Sequence, residues 1–266
     1  MKVEMKRAYI DLPEGQIHYR YDGRGKPLLL LHQTPLSSDE YSLVMPILAK
    51  EYRVIALDTP GYGNSDKTPR KYQMEDYARS VISFLDALNI NNTSIVGHHT
   101  GASIAVEIAV TQPERVDKLI LSGCPYYEDE MREALLHDER FQPMVVKEDG
   151  SHLLKIWQTI MSVSPESKPE VWNKVVANYL RAGRDAEDGH HAAFRYKMQN
   201  RLPQIKSPTL FLSGDKDVFY KRLKLIASMI SQSEVKVIKG GGVLLGYEMP
   251  SDFAEAILEF LANSMS

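Results

Sequence analysis

Cysteine is almost missing from this chain: Cys124 stands alone among 266 residues. That excludes an internal disulfide and fits a reducing compartment. Long apolar runs are missing too, and none approaches the roughly 20 residues a membrane-spanning helix needs. Blocks of one charge are equally absent. The net charge is −3 with 25% charged residues, a balance that points to no nucleic-acid or membrane partner. Lys2, Glu4, Lys6 and Arg7 fall among the first ten residues, where a secretory signal would need an apolar stretch. These absences together predict a soluble cytoplasmic protein. What is present, 43% hydrophobic residues in an ordinary mixture, suffices for one large α/β core, with or without an inserted subdomain.

Strand and helix signals alternate through the first half. Two strands, residues 7–12 and 16–21, are expected on either side of the turn signal Pro13-Glu14-Gly15. Pro27–Leu31 and Arg53–Leu57 are continuous apolar runs, as in strands buried on both faces of a parallel sheet. Between them, Ser37 and Glu40 have capping-box spacing and open a helix expected to reach about residue 50. Met74, Tyr77, Val81, Phe84, Leu85 and Leu88 recur at three and four, which predicts an amphipathic helix over 73–88. A further apolar strand is expected at 118–122.

From Cys124 to about Gln204 the alternation stops. The segment is helical and aromatic, with breakers at Pro143, Gly150, Pro165, Pro169 and Gly183. Strand signals resume at 209–213 and 235–238, each followed by a helix, near 219–231 and 251–262. The pattern implies a doubly wound, mostly parallel sheet interrupted by helices. Its ligands belong at the carboxyl ends of the strands, where His32, Asp58, His99, Cys124 and Asp217 all fall.

The most informative stretch is Thr93 to Ala109, T-S-I-V-G-H-H-T-G-A-S-I-A-V-E-I-A. A short apolar strand meets a turn with Gly97 and Gly101 set four apart, and a helix of small residues leaves at once. This is the strand–turn–helix of a nucleophile elbow, G-x-Nuc-x-G, in which a tight bend lifts one side chain clear of the sheet edge. The residue at the apex is His99.

With six such segments in order, the chain resembles the α/β-hydrolase superfamily over nearly its whole length. The segments are L-L-L-L-H-Q-T-P, A-L-D-T-P-G-Y-G-N-S-D, S-I-V-G-H-H-T-G-A, Q-P-E-R-V-D-K-L-I-L-S-G, S-P-T-L-F-L-S-G-D-K-D and G-G-G-V-L-L-G-Y-E-M-P-S-D-F. The resemblance implies an α/β-hydrolase core at 1–124 and 205–266, with a helical cap at 125–204. It places the family's acid at Asp217 rather than Asp215, and the family's catalytic histidine where this chain has Val243. By the same resemblance, the backbone N–H groups of Thr34 and Thr100 would form an oxyanion hole. Gln33 stands at a glycine position of the family, and its amide is expected to reach the pocket as an extra donor.

Two positions thus depart together: the elbow carries His99 instead of serine, and position 243 carries valine instead of histidine. Imidazole is longer than a serine side chain, and valine leaves room between the elbow and Asp217. The expectation is a His99–Asp217 dyad, with His99 as base or nucleophile. An imidazole titrates near ~6.5 when unperturbed, so such a dyad suits base chemistry at neutral pH. A cofactor-independent lyase or oxygenase using the same dyad, and a catalytically inactive binder, are the alternatives.

His32 and His98 are grouped with the pocket residues Gln33, Thr34 and Thr100, although the family uses such histidines for packing. A metal site at His32, His98 and His99 is disfavoured for want of ligand spacing, and no cofactor is implied. His190 and His191 are expected at a helix start capped by Asp188, on the cap surface or leaning over the pocket. Cys124 is expected as a buried or pocket-wall thiol. Gly61-Tyr62-Gly63-Asn64-Ser65 is expected as a structural turn, not a phosphate loop. Trp157, Trp172, Phe194, Tyr126, Tyr127, Met144 and Met161 should divide between cap core and pocket, which suits a small, largely uncharged substrate.

Overall fold

A computed structural model describes residues 5–263; Lys2 and Glu4, part of the reading of the first ten residues, lie outside them. Eight strands form a single sheet: β1 (Lys6–Leu12), β2 (Gly15–Asp22), β3 (Pro27–Leu31), β4 (Arg53–Leu57), β5 (Thr93–His98), β6 (Val116–Ser122), β7 (Thr209–Gly214) and β8 (Ser233–Ile238). Their spatial order is β1-β2-β4-β3-β5-β6-β7-β8. β1, β2 and β4 pair antiparallel, and every pairing from β4 to β8 is parallel. The chain turns from β1 to β2 with Leu12 opposite Gly15, at the Pro13-Glu14-Gly15 signal.

Eleven helices are described: α1 (Met45–Leu48), α2 (Met74–Ala87), α3 (Thr100–Thr111), α4 (Asp129–Leu136), α5 (Ser151–Val163), α6 (Pro169–Ala182), α7 (Asp188–Arg195), α8 (Met198–Arg201), α9 (Leu223–Ala227), α10 (Leu245–Glu248) and α11 (Pro250–Ala262). Five of them, α4 to α8, follow one another between β6 and β7.

The apolar strands have that composition because both faces are covered. On one face Leu29, Leu31, Ile55, Leu57 and Ile95 pack with α2 and α3. On the other, Leu28, Leu30, Val54, Ala56 and Val96 pack with α1 and α11. α2 begins at a capping box in which the Gln73 N–H donates to Asp76 Oδ2 at 2.8 Å. α3 is buried from Thr100 to Ala109, which explains its small residues.

Two helix expectations are corrected. Residues 37–50 form a 3-10 turn (Ser38–Tyr41) and then the short α1, not one helix. The Ser37 hydroxyl does accept from the Asp39 N–H, but Glu40 leaves the capping box and points inward, wholly buried. The carboxylate that would have closed the cap binds the β3 loop instead. The segment 219–231 likewise holds only a 3-10 turn (Tyr220–Arg222) and α9, because its start is drawn into a turn by Asp217, whose Oδ1 accepts the Phe219 N–H at 2.8 Å.

Candidate active site

Every residue of β5 is buried, and the strand runs straight into the turn that carries His99. The backbone at His99 has φ +47° and ψ −114°, a region that non-glycine residues rarely adopt and that typically costs ~1–3 kcal/mol. Close packing holds it there. A Cβ on Gly97 would lie 2.3 Å from the Gly101 carbonyl oxygen, and one on Gly101 would lie 2.1 Å from that of Leu31. Only glycine lets α3 leave so near the strands.

The strained turn presents the imidazole to Asp217, at the carboxyl end of β7. His99 Nε2 lies 2.8 Å from Asp217 Oδ2, and the Asp217 side chain is fully shielded from solvent. Burial opposes the charge of Asp217, but His99 beside it and the Phe219 N–H hold its carboxyl below the usual range. An ionised carboxylate only accepts, so neutral His99 carries its proton on Nε2 and leaves the lone pair on Nδ1. Nδ1 has no hydrogen-bond partner among the described residues, and His99 lines the cavity beside it. The bare nitrogen is therefore the one on the cavity side.

Room for this pair comes from Gly123, a residue the sequence motifs did not single out. A Cβ there would sit 2.4 Å from His99 Cδ2 and 2.8 Å from Asp217 Oδ2, and the backbone φ of +51° disfavours side chains as well. Asp215 lies outside the pair; its Oδ1 accepts the Gly240 N–H at 2.7 Å.

The other expected pocket residues separate into two groups. Gln33, Thr34 and Thr100 line the cavity with His99. His32 and His98 stand behind it, which corrects their grouping with the substrate-binding residues. His32 donates from Nδ1 to the Gln33 carbonyl, and its Nε2 accepts from the Thr59 N–H at 2.9 Å. His98 donates from Nε2 to the Val243 carbonyl at 3.0 Å, and its Nδ1 accepts from the Ser122 hydroxyl at 2.9 Å. Burial lowers the pKa of both, that of His98 to about 3, so both stay neutral. Among the described residues no group of three or more His, Cys, Asp or Glu is placed to hold a metal ion.

Gln33 also departs from expectation. Its side-chain amide donates to Glu40 Oε1 at 2.7 Å and to the Val243 carbonyl at 2.8 Å. Both amide hydrogens are thus occupied, and neither is an extra donor for a ligand. Glu40 further accepts the Gln33 backbone N–H at 3.1 Å, and burial pushes its carboxyl up to about 7. This brace joins the β3 loop to the β8–α10 loop. Sequence reasoning missed Glu40 because its capping spacing already explained it.

The Thr34 N–H meets the Thr100 hydroxyl at a long 3.4 Å, and the Thr100 N–H opens α3, where no helical acceptor lies behind it. The cavity in front holds about 330 Å³. Tyr126, Tyr127, Phe194 and Phe219 give it aromatic walls, and His190 and Glu187 reach it from the segment between β6 and β7. His191 does not; its Nε2 donates to the Phe141 carbonyl. Asp188 is the first residue of α7 and makes no capping bond. Trp157 and Trp172 pack edge to face with each other, and Met161 is exposed. Cys124 is buried beneath the wall, and burial raises its thiol pKa. The turn at 61–65 is organised by Asp58, which accepts from His18, Ser38 and Asn64.

Comparison with known proteins follows this geometry. Residues 26–248 match the family model for the alpha/beta hydrolase fold. A 2-hydroxy-6-oxo-6-(2'-aminophenyl)hexa-2,4-dienoic acid hydrolase from Metapseudomonas resinovorans is 26% identical, across 96% of this chain and 92% of the relative. An (E)-2-((N-methylformamido)methylene)succinate hydrolase from Acinetobacter baylyi is 30% identical over 120 residues; there the match spans 45% of this chain and 46% of the relative. Among solved structures, a thermophilic esterase from Thermogutta terrifontis superposes with a TM-score of 0.81 at 26% identity, over 96% of this chain and 98% of that one. Among the described residues no helix is long and apolar enough to cross a membrane. Sheet order, elbow and family match agree, and the chain belongs to the alpha/beta hydrolase fold family.

Proposed function

We propose that this protein hydrolyses small, largely apolar esters or lactones, with His99 as general base and Asp217 as the group that orients it. One observation carries the reading: the 2.8 Å contact between His99 Nε2 and Asp217 Oδ2, which leaves Nδ1 bare toward the cavity. His99 Nδ1 takes a proton from a water whose oxygen bonds to the carbonyl carbon. The Thr34 and Thr100 N–H groups face the negative charge that builds on the carbonyl oxygen. No serine is needed, since one imidazole fills the space that a serine and a separate histidine hold in the family pattern. In this reading residues 125–204 cap a core of 1–124 and 205–266, and the aromatic walls select small apolar compounds. The relatives named as hydrolases, and the structural neighbour named as an esterase, support the same reaction class.

A panel of esters and lactones assayed with wild type and His99→Ala tests the proposal. Turnover is expected to fall at least ~10³-fold in the variant, as for loss of a group central to the chemistry. Equal turnover in both proteins would move the chemistry to other residues. Ligand-induced melting shifts without turnover in either would make the cavity a binding site.

A further inference from the structure

The cavity has a second imidazole–carboxylate pair, in the segment between β6 and β7. Glu187 and His190 lie one turn apart at the start of α7, with His190 Nδ1 2.6 Å from Glu187 Oε2. Both residues line the same cavity as His99. The His190 ring is clamped: it stacks on Phe194 with planes 9° apart and meets Phe141 edge to face. Its Nδ1 is occupied by Glu187, and its Nε2 has no partner among the described residues. With Nδ1 donating to the Glu187 carboxylate, Nε2 is the ring atom left to exchange a proton with a compound in the cavity.

The two pairs are wired in opposite senses. Asp217 holds His99 by Nε2 and leaves Nδ1, whereas Glu187 holds His190 by Nδ1 and leaves Nε2. Aromatic rings line the path between them: Phe219 against His99, Tyr127 against Phe219, and Phe194 against Tyr127. A compound filling the cavity therefore meets two imidazoles with apolar rings between them.

We infer that His190, positioned by Glu187, is the general acid of this site and delivers its Nε2 proton to the leaving oxygen of the substrate. The inference rests on the reading of His99 as base. Water loses a proton to His99 as its oxygen bonds to the carbonyl carbon, and the C=O pair moves onto the carbonyl oxygen. On collapse the bond to the leaving oxygen breaks, its electron pair stays with that oxygen, and the His190 proton joins it. The products are an acid and an alcohol, or one hydroxy acid from a lactone. His99 then releases its proton to solvent, and His190 regains one from solvent.

A general acid is needed only where the leaving oxygen is basic. The test compares an alkyl ester or lactone with a p-nitrophenyl ester, whose leaving group departs unprotonated. His190→Gln is expected to lower kcat about 10²-fold on the alkyl substrate and by less than about threefold on the p-nitrophenyl ester. His190→Asn should repeat the pattern, and Glu187→Gln should show it more weakly, at about tenfold, with KM little changed. Melting curves show that each variant is folded. Equal losses on both substrates, or none on either, would overturn the inference. His99→Ala sparing both substrates would instead overturn the base, so the two failures are distinguishable.

Discussion

The two imidazole–carboxylate pairs differ in how the chain makes them. His190 and Glu187 are three residues apart on one helical turn, so any helix at that place brings them together. His99 and Asp217 are 118 residues apart and meet only because β5, β6 and β7 lie side by side in the sheet. The local pair keeps more solvent exposure, 22% for the His190 side chain against 11% for His99, and its carboxylate can follow the ring through a flexible side chain. The long-range pair is locked between a strained backbone at residue 99 and a glycine at 123. A pair built by the fold should thus tolerate far less change than one built by a helical turn.

Asp217→Asn presses hardest on that contrast. The Phe219 N–H donates to Asp217 Oδ1, so an amide keeps its oxygen there and turns its NH₂ toward His99. Nε2 must then accept, the proton moves to Nδ1, and the cavity-side nitrogen ceases to be a base. We expect kcat to fall ~10³–10⁴-fold in steady-state assays with little change in melting temperature, in line with the tautomer effect in serine-protease triads. A loss under tenfold would mean the contact does not set the tautomer.

Gly123→Ala comes next. The added methyl group contacts both partners of the pair, and a displacement near 1 Å is worth about 10²-fold in kcat. No glycine plays this part at His190, so an unaffected Gly123→Ala variant would remove the distinction between rigid and forgiving pairs.

Glu40 bears on stability, not on turnover. Burial holds its folded pKa at about 7, above the ordinary 4.5. The folded state therefore keeps a proton that the unfolded chain releases, and Glu40 makes stability fall as pH rises from about 4.5 to about 7, with no further change above. Glu40→Gln removes that slope. Urea unfolding of both proteins at pH 5 and pH 7.5 should show their stability difference shifting, in favour of the variant at the higher pH, by on the order of 3 kcal/mol. Parallel behaviour would place an ionised Glu40 in the folded protein throughout.

Much of this was legible in the residues themselves. The apolar runs at 27–31, 53–57 and 93–96 announce strands, because only burial on both faces tolerates them. Gly97 and Gly101 announce the elbow, since the close crossing of β5 and α3 admits nothing larger. The expectation of a His99–Asp217 pair rested on valine at 243, whereas the space for that pair lies at Gly123. What escaped were side chains with two possible partners. Glu40 matched a local cap, Gln33 had donors with no visible acceptor, and His32 and His98 looked like pocket residues because they adjoin it in sequence. Each was decided by a contact across the fold, such as Gln33 to the Val243 carbonyl, that spacing along the chain does not encode.

An elbow with an imidazole at its apex in place of a hydroxyl also changes what reagents can see. Organophosphorus and sulfonyl fluoride probes report on hydrolases by forming durable esters with an activated oxygen. At position 99 they would meet nitrogen, and the phosphoryl- or sulfonyl-imidazole so formed is readily cleaved by water. A proteome surveyed with such labels would pass over this chain whether or not it turns over substrate.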